Sequence, residues 1–247
     1  MIELGEEDRV ALIRMADGKA NAMSLEFCRT LTARFREAAD APAVVVTGSG
    51  HIFSAGVDLK RLIDGGAPYI REFLPALSAM FAAVFSHPRL VVAAINGHAI
   101  AGGCVLACAA DKRLMARDAG RIGVTELLVG VAFPAVAMEI MRCATAPQYF
   151  EDAIFGAATY APPEAAARGF VHDIVDPHAL LERAVAAAKT LAALPPAAFA
   201  LSKRQTRAPA LARMEDAAVD AMVAQIWTAP ETLGRIRDYV ARTLRKP

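Results

Sequence analysis

Glu126 stands in Ile122-Gly-Val-Thr-Glu-Leu-Leu-Val-Gly-Val-Ala-Phe133, a carboxylate with apolar neighbours on both sides. Burial there resists ionisation, and a raised pKa makes such a group a proton acceptor competent near neutral pH. Two glycine-bearing stretches precede it. In His51-Ile-Phe-Ser-Ala-Gly-Val-Asp-Leu-Lys60, small residues follow a β-type run and the Gly48-Ser-Gly50 turn, so a ligand can approach backbone N–H groups closely. In Asn96-Gly-His-Ala-Ile-Ala-Gly-Gly-Cys104, a buried run leads into a helix start, whose free N–H groups and partial positive charge favour negative charge in front of them. Singly, each has a plain alternative: a glycine pair packs tightly, and a glutamate sits in a surface or first-turn position. Their occurrence together points to backbone donors and one proton carrier.

Other chemistries lack their parts. Gly97 and Gly102-Gly103 lack the Lys-Ser/Thr of a phosphate loop, and no G-x-G-x-x-G follows a strand. Gly48-Ser49-Gly50 does not have the spacing of a nucleophile elbow. The five histidines show no paired helical spacing, and Cys104 and Cys108 share an apolar face with no His or acid nearby, so no metal site is expected. Cys28, Cys104, Cys108 and Cys143 read as buried thiols of a reducing compartment.

The elements that must carry these residues divide into two textures. Up to about Pro134, strand-like runs at Val10–Met15, Ala43–Thr47, Leu90–Ile95 and Lys112–Ala116 alternate with helical patterns. One helix begins after the N-capping Ser24, with Glu26 in its first turn and Leu25, Leu31 and Phe35 on its apolar faces. A second, over 69–85, repeats Ile70, Phe73, Leu77, Phe81 and Val84. Continuous apolar strands imply a sheet buried on both faces, and strand–helix–strand order implies an α/β core with crossovers. Beyond Pro134 the pattern is helical at 135–143, 162–168, 177–194, 197–206 and 214–244, with a last strand at 170–175. The expected organisation is a core over 1–195 and a helical C-terminal region over 196–247 of the same unit, used for subunit contacts.

Bulk composition excludes several classes. In 247 residues, 27 Lys+Arg balance 26 Asp+Glu, so there is no basic field for nucleic acid or a membrane surface. Hydrophobic residues at 55 % exclude disorder. The uncharged run 90–110 has the length of a membrane span, but Asn96-Gly97-His98 would place a turn in lipid. Glu3, Glu6, Glu7 and Asp8 open the chain where a leader would carry basic residues, so a cytoplasmic protein is expected.

Phe53-Ser-Ala-Gly-Val-Asp-Leu-Lys60, Ala94-Ile-Asn-Gly-His-Ala-Ile-Ala-Gly-Gly-Cys104 and Glu126-Leu-Leu-Val-Gly130 resemble the signature of the crotonase, or enoyl-CoA hydratase/isomerase, superfamily. The likeness runs from Asn21-Ala-Met-Ser24 to the region 195–203. It implies a crotonase-like spiral of ββα units with a helical C-terminal trimerisation region, a homotrimer or dimer of trimers, and an acyl-CoA thioester substrate. Coenzyme A would be part of that substrate, and no separate cofactor is implied. Carried over residue by residue, the N–H groups of Ala55 and Gly102 form an oxyanion hole and Glu126 moves protons. Lys19, Ala22, Phe53, Asp58, Leu59, Val105 and Phe133 join them in binding the CoA ester. Lys203 becomes a candidate for a phosphate, although for it and Lys60 a solvated surface charge is the expected state. The acyl pocket is expected around 62–74, Phe133 and the C-terminal helices.

Hydratases of this family carry a second glutamate directly after Gly-Gly-Cys. This chain has Val105 there, and Phe133-Pro-Ala-Val136 replaces their Pro-Gly-x-Gly-Gly. One carboxylate suits a 1,3-proton transfer that converts a 3-enoyl-CoA into its trans-2 isomer, so the chain resembles the Δ3,Δ2-enoyl-CoA isomerase branch more than the hydratase branch. A hydratase with a different second group, a decarboxylase, a thioester hydrolase and a silent acyl-CoA binder remain as alternatives.

Overall fold

A computed structural model describes residues 1–118 and 120–243. Its principal sheet has the order β1-β2-β3-β5-β7-β9, formed by β1 (Ile2–Glu7), β2 (Val10–Met15), β3 (Ala43–Thr47), β5 (Leu90–Ile95), β7 (Lys112–Ala116) and β9 (Asp173–Val175). Strands β1 and β2 form an antiparallel hairpin, and every later pairing is parallel. A second, three-stranded parallel sheet joins β4 (Ile52–Ser54), β6 (His98–Ile100) and β8 (Ile122–Gly123).

Strands β3 and β5 are buried along their whole length, as the continuous valine-rich runs require. Alternation still sorts their side chains. Val44, Val46, Val91, Ala93 and Ile95 face the main core, while Ala43, Val45, Val92 and Ala94 pack with Leu180, Ala184 and Val185 of α7 (Leu180–Ala192). On the main-core side lies α1 (Leu25–Glu37), where Ser24 Oγ accepts a hydrogen bond from the Phe27 N–H at 3.1 Å. Next comes α2 (Leu59–Phe85), capped by Asp58 and broken at Gly66 (φ 57°, ψ −156°). The expected helix over 69–85 is its second segment. Helix α3 (Gly102–Ala109) is buried throughout.

The C-terminal part contains α4 (Ala135–Ala144), α5 (Phe150–Phe155), α6 (Pro162–Ala167), α7, α8 (Pro196–Arg213), α9 (Ala217–Thr228) and α10 (Pro230–Thr243). The helix expected over 214–244 is two helices broken at Ala229-Pro230, and residue 244 lies outside the described residues. The strand expected over 170–175 is limited to Asp173–Val175. Cys143 is exposed, which corrects its reading as a buried thiol: it falls on the solvent face of α4. No single helix among the described residues is long and apolar enough to cross a membrane.

Candidate active site

The small sheet positions the site. Its three strands run parallel, so the loops leaving their C-terminal ends converge: 55–58 after β4, Ala101 and the start of α3 after β6, and 124–131 after β8. They close over a cavity of about 100 Å³ whose lining includes Ala55, Val57, Leu59, Gly102, Val105, Glu126 and Phe133.

The first loop turns at Gly56, which has φ +83°. A side chain there would approach Ile100 O to 2.7 Å and Gly102 N to 3.1 Å, so glycine is required by both conformation and space. Ala101 enters α3 with φ 52° and ψ −124°, a left-handed conformation unusual for alanine, and its N–H donates to Gly123 O at 2.8 Å. Gly56 and Gly102 thus bring the two loops into backbone contact.

One donor expected from the family pattern is otherwise engaged. The Ala55 N–H donates to the Ala20 carbonyl at 3.0 Å, closing this loop onto the segment before α1, so Ala55 lines the cavity without a free donor. Val57 is different. The Met23 N–H donates to Gly56 O at 2.8 Å and the Asp58 N–H to Met23 O at 3.1 Å, which turns the intervening Val57 N–H to the opposite side. Among the described residues, neither the Val57 nor the Gly102 N–H has a protein acceptor. The N–H groups left without an acceptor beside the cavity are therefore those of Val57 and Gly102, not those of Ala55 and Gly102.

Glu126 begins a short 3₁₀ turn, Glu126–Val129, closed by the Val131 N–H donating to Glu126 O at 3.2 Å. Although the residue is only partly buried as a whole, its Oε2 is sealed from solvent without a hydrogen-bond partner. Burial pushes its carboxyl up to about 7, against the lowering effect of the Glu126 and Thr125 N–H groups. Among the described residues it is the one carboxylate lining the cavity. Val105 presents a hydrocarbon wall, and Leu77, Phe81, Val129 and Val131 extend it.

The remaining expected residues separate. Leu59, Val105 and Phe133 line the cavity. Phe53 does not: its side chain is fully buried in the core, because alternation along β4 turns it inward. Asp58 caps α2, accepting from the Lys60 and Arg61 N–H groups at 3.1 Å, and is not in the lining. Lys19 is exposed and Ala22 half-buried, beside the segment bonded to the 55–58 loop but outside the lining. Residues 62–74 do not wall the cavity; the α2 contributors are Leu59, Leu77 and Phe81. Lys60 is exposed, as expected. Lys203 is neither a surface charge nor free for a phosphate: its Nζ lies 2.7 Å from Asp111, with 8 % of its side chain exposed.

Sequence reasoning missed Trp227 and Tyr239, which line the cavity from α9 and α10. The Trp227 indole N–H donates to Ala132 O at 2.8 Å, and Asp220 of α9 accepts from the Ala135 N–H at 3.0 Å. Both pin the segment that follows Glu126. Trp227 is the chain's one tryptophan, the only sequence signal available for it.

A mixed α/β fold with two free backbone N–H groups and a buried carboxyl around an apolar cavity has the parts that stabilise negative charge developing on a carbonyl oxygen. The model of the enoyl-CoA hydratase/isomerase family matches residues 5–231, so the chain belongs to this family of acyl-CoA enzymes, the crotonase superfamily. A Thermus thermophilus protein provisionally named an enoyl-CoA hydratase is 32 % identical over 229 residues, 90 % of each chain. Two solved structures of a Mycobacterium tuberculosis protein are similar. One, described as the probable enoyl-CoA hydratase EchA3, has 33 % identity and a TM-score of 0.83, covering 91 % of this chain and 97 % of that one. The other, described as an enoyl-CoA isomerase, has 32 % identity and a TM-score of 0.81, covering 93 % and 98 %. Human mitochondrial Δ3-Δ2-enoyl-CoA isomerase shares the fold at a TM-score of 0.93 over 98 % of both chains, with 22 % identity.

Proposed function

We propose that this enzyme shifts the double bond of a 3-enoyl-CoA to the trans-2 position. The substrate's thioester oxygen sits between the Val57 and Gly102 N–H groups. Glu126 removes a proton from C2, the C–H electrons form a C1–C2 double bond, and negative charge collects on the thioester oxygen as a dienolate conjugated with the C3–C4 double bond. As the carbonyl re-forms, the C1–C2 pair moves to C2–C3 and the C3–C4 pair is left to take a proton at C4. The same carboxyl returns that proton. Two preorganised donors in a water-poor cavity lower such an intermediate strongly, since losing one comparable donor elsewhere costs about 3–4 kcal/mol. No separate cofactor enters the scheme, because coenzyme A is carried by the substrate.

The observation that carries this reading is that Glu126 is the single cavity-lining carboxylate among the described residues, with Val105 offering nothing to hold or activate water. Replacing Glu126 by Gln keeps its shape and removes its basicity. Conversion of 3-enoyl-CoA to trans-2-enoyl-CoA should then fall by about 10²–10⁴-fold with CoA-ester affinity retained. Unchanged turnover rejects the proton-carrying role. Hydration is the second reading, favoured by the hydratase names of relatives; crotonyl-CoA hydration as fast as isomerisation would make it the better one.

The protein is further proposed to assemble as a trimer or a dimer of trimers. Leu194 and Leu201 (48 % and 47 % exposed), beside and on α8, supply apolar surface for such contacts. Sedimentation of the purified chain should give three or six times 26.1 kDa, and a monomer at micromolar concentration opposes the proposal.

A further inference from the structure

Ser54 is fully buried at the end of β4, and its hydroxyl does not reach the cavity, so it has no direct part in the chemistry above. A buried hydroxyl is costly unless both its donor and its acceptor are used. Here both are. Ser54 Oγ donates to the Asn21 carbonyl at 2.8 Å and accepts from the Gly56 N–H at 3.1 Å. Asn21 is itself immobilised. It is 1 % exposed with φ +46°, its amide donates to Met15 O at 3.0 Å and Phe53 O at 3.1 Å, and its Oδ1 accepts from the Asp17 N–H at 2.7 Å. A continuous relay therefore runs from the loop before α1, through one hydroxyl, to the glycine preceding Val57.

We propose that Ser54 is a positioning residue: by linking the Asn21 carbonyl to the Gly56 N–H, it sets the direction of the Val57 N–H that polarises the substrate thioester. This rests on the Val57–Gly102 donor pair of the proposed function, though not on which reaction follows enolate formation. Gly56 has no side chain of its own to restrict its left-handed turn: the Met23 bonds hold the peptide that carries the Val57 N–H, the Ala55 bond to Ala20 anchors the residue before it, and the hydroxyl holds the Gly56 N–H between them. Without the hydroxyl the turn can rotate, and small misplacements at a catalytic group are expensive in rate.

The test compares wild type with Ser54→Ala and with Ser54→Cys, which keeps a weaker hydrogen-bonding group on a somewhat larger atom. Each binds a saturated acyl-CoA labelled with ¹³C at the thioester carbonyl, read by infrared difference spectroscopy. Wild type should lower the carbonyl stretch on binding, Ser54→Ala should lose at least half of that shift, and Ser54→Cys should fall between. In parallel, kcat for 3-enoyl-CoA should drop about 10- to 100-fold in Ser54→Ala, with KM within about threefold. A merely structural role would change the melting temperature and leave the shift of the folded fraction intact. Full shift and near-normal kcat in both variants overturn the relay while leaving the donor pair standing. Absence of any shift in wild type overturns the donor pair and the relay together. Should Ser54→Ala fail to fold, the Cys variant carries the same comparison.

Discussion

Glu126 is kept protonatable by its own burial, and that has consequences for both rate and stability. With a folded pKa near 7 against an ordinary 4.5, the native chain holds a proton between those values that the unfolded chain has released. This group's contribution to stability therefore falls as pH rises through that window and stays low above it. Glu126→Gln should accordingly be more stable than wild type at pH 8, by on the order of 3 kcal/mol, with the difference vanishing below about pH 4.5 in urea titrations. Activity runs the other way: wild-type turnover should rise as pH increases through about 7, when the carboxylate becomes a base. A second residue-scale test concerns Val105. If its lack of a carboxyl separates isomerisation from hydration, Val105→Glu should introduce measurable crotonyl-CoA hydration; a folded variant with none assigns the difference to other parts of the wall. Glu126 was legible because its apolar neighbours are adjacent in sequence. The donor was not: Ala55 and Val57 sit two apart in one motif, and only the bonds to Ala20 and Met23 decide whose N–H is free.

Among the elements, the long strands β2, β3 and β5 were readable from their Val-, Ile- and Leu-rich runs and β7 from Leu114-Met-Ala116, whereas β4, β6 and β8, of three, three and two residues, are too short for any periodicity to register. The short strands are the ones that assemble the site. The C-terminal helices were expected at the acyl pocket, but not the residues by which α9 reaches it, for Trp227 and Asp220 bond residues about ninety positions earlier. Trp227→Phe retains a ring against the cavity but loses the bond to Ala132 O. It should cost about 1 kcal/mol in unfolding free energy and raise KM for the acyl-CoA ester severalfold; unchanged KM would show that the 130–135 segment holds its place without α9.

At the scale of the molecule, α8 is fastened to the core by a buried charge cluster. Asp111 accepts from Lys203 at 2.7 Å, Arg207 at 2.9 Å and the Val91 N–H at 2.7 Å, while Arg207 also stacks on Phe85 at 4.0 Å. Burial pulls the Lys203 ammonium down to about 8 in spite of Asp111 beside it. Asp111→Ala leaves two cations without their partner and should destabilise the chain by about 3 kcal/mol or more in denaturant titrations, since removing one side of a buried pair exposes its desolvation cost. Nothing in the sequence near Lys203 revealed that cluster, because Asp111 lies 92 positions away. The amino-acid sequence alone determined the α/β core, the family and the buried carboxyl of Glu126, all of which rest on residues adjacent in the chain or on local periodicity. Tertiary structure decided which amide is left free beside the cavity, that Trp227 and Tyr239 are the residues by which α9 and α10 wall it, and that Lys203 pairs with Asp111. Those depend on pairing between distant segments, where a change of one residue in register reverses the direction in which a donor points.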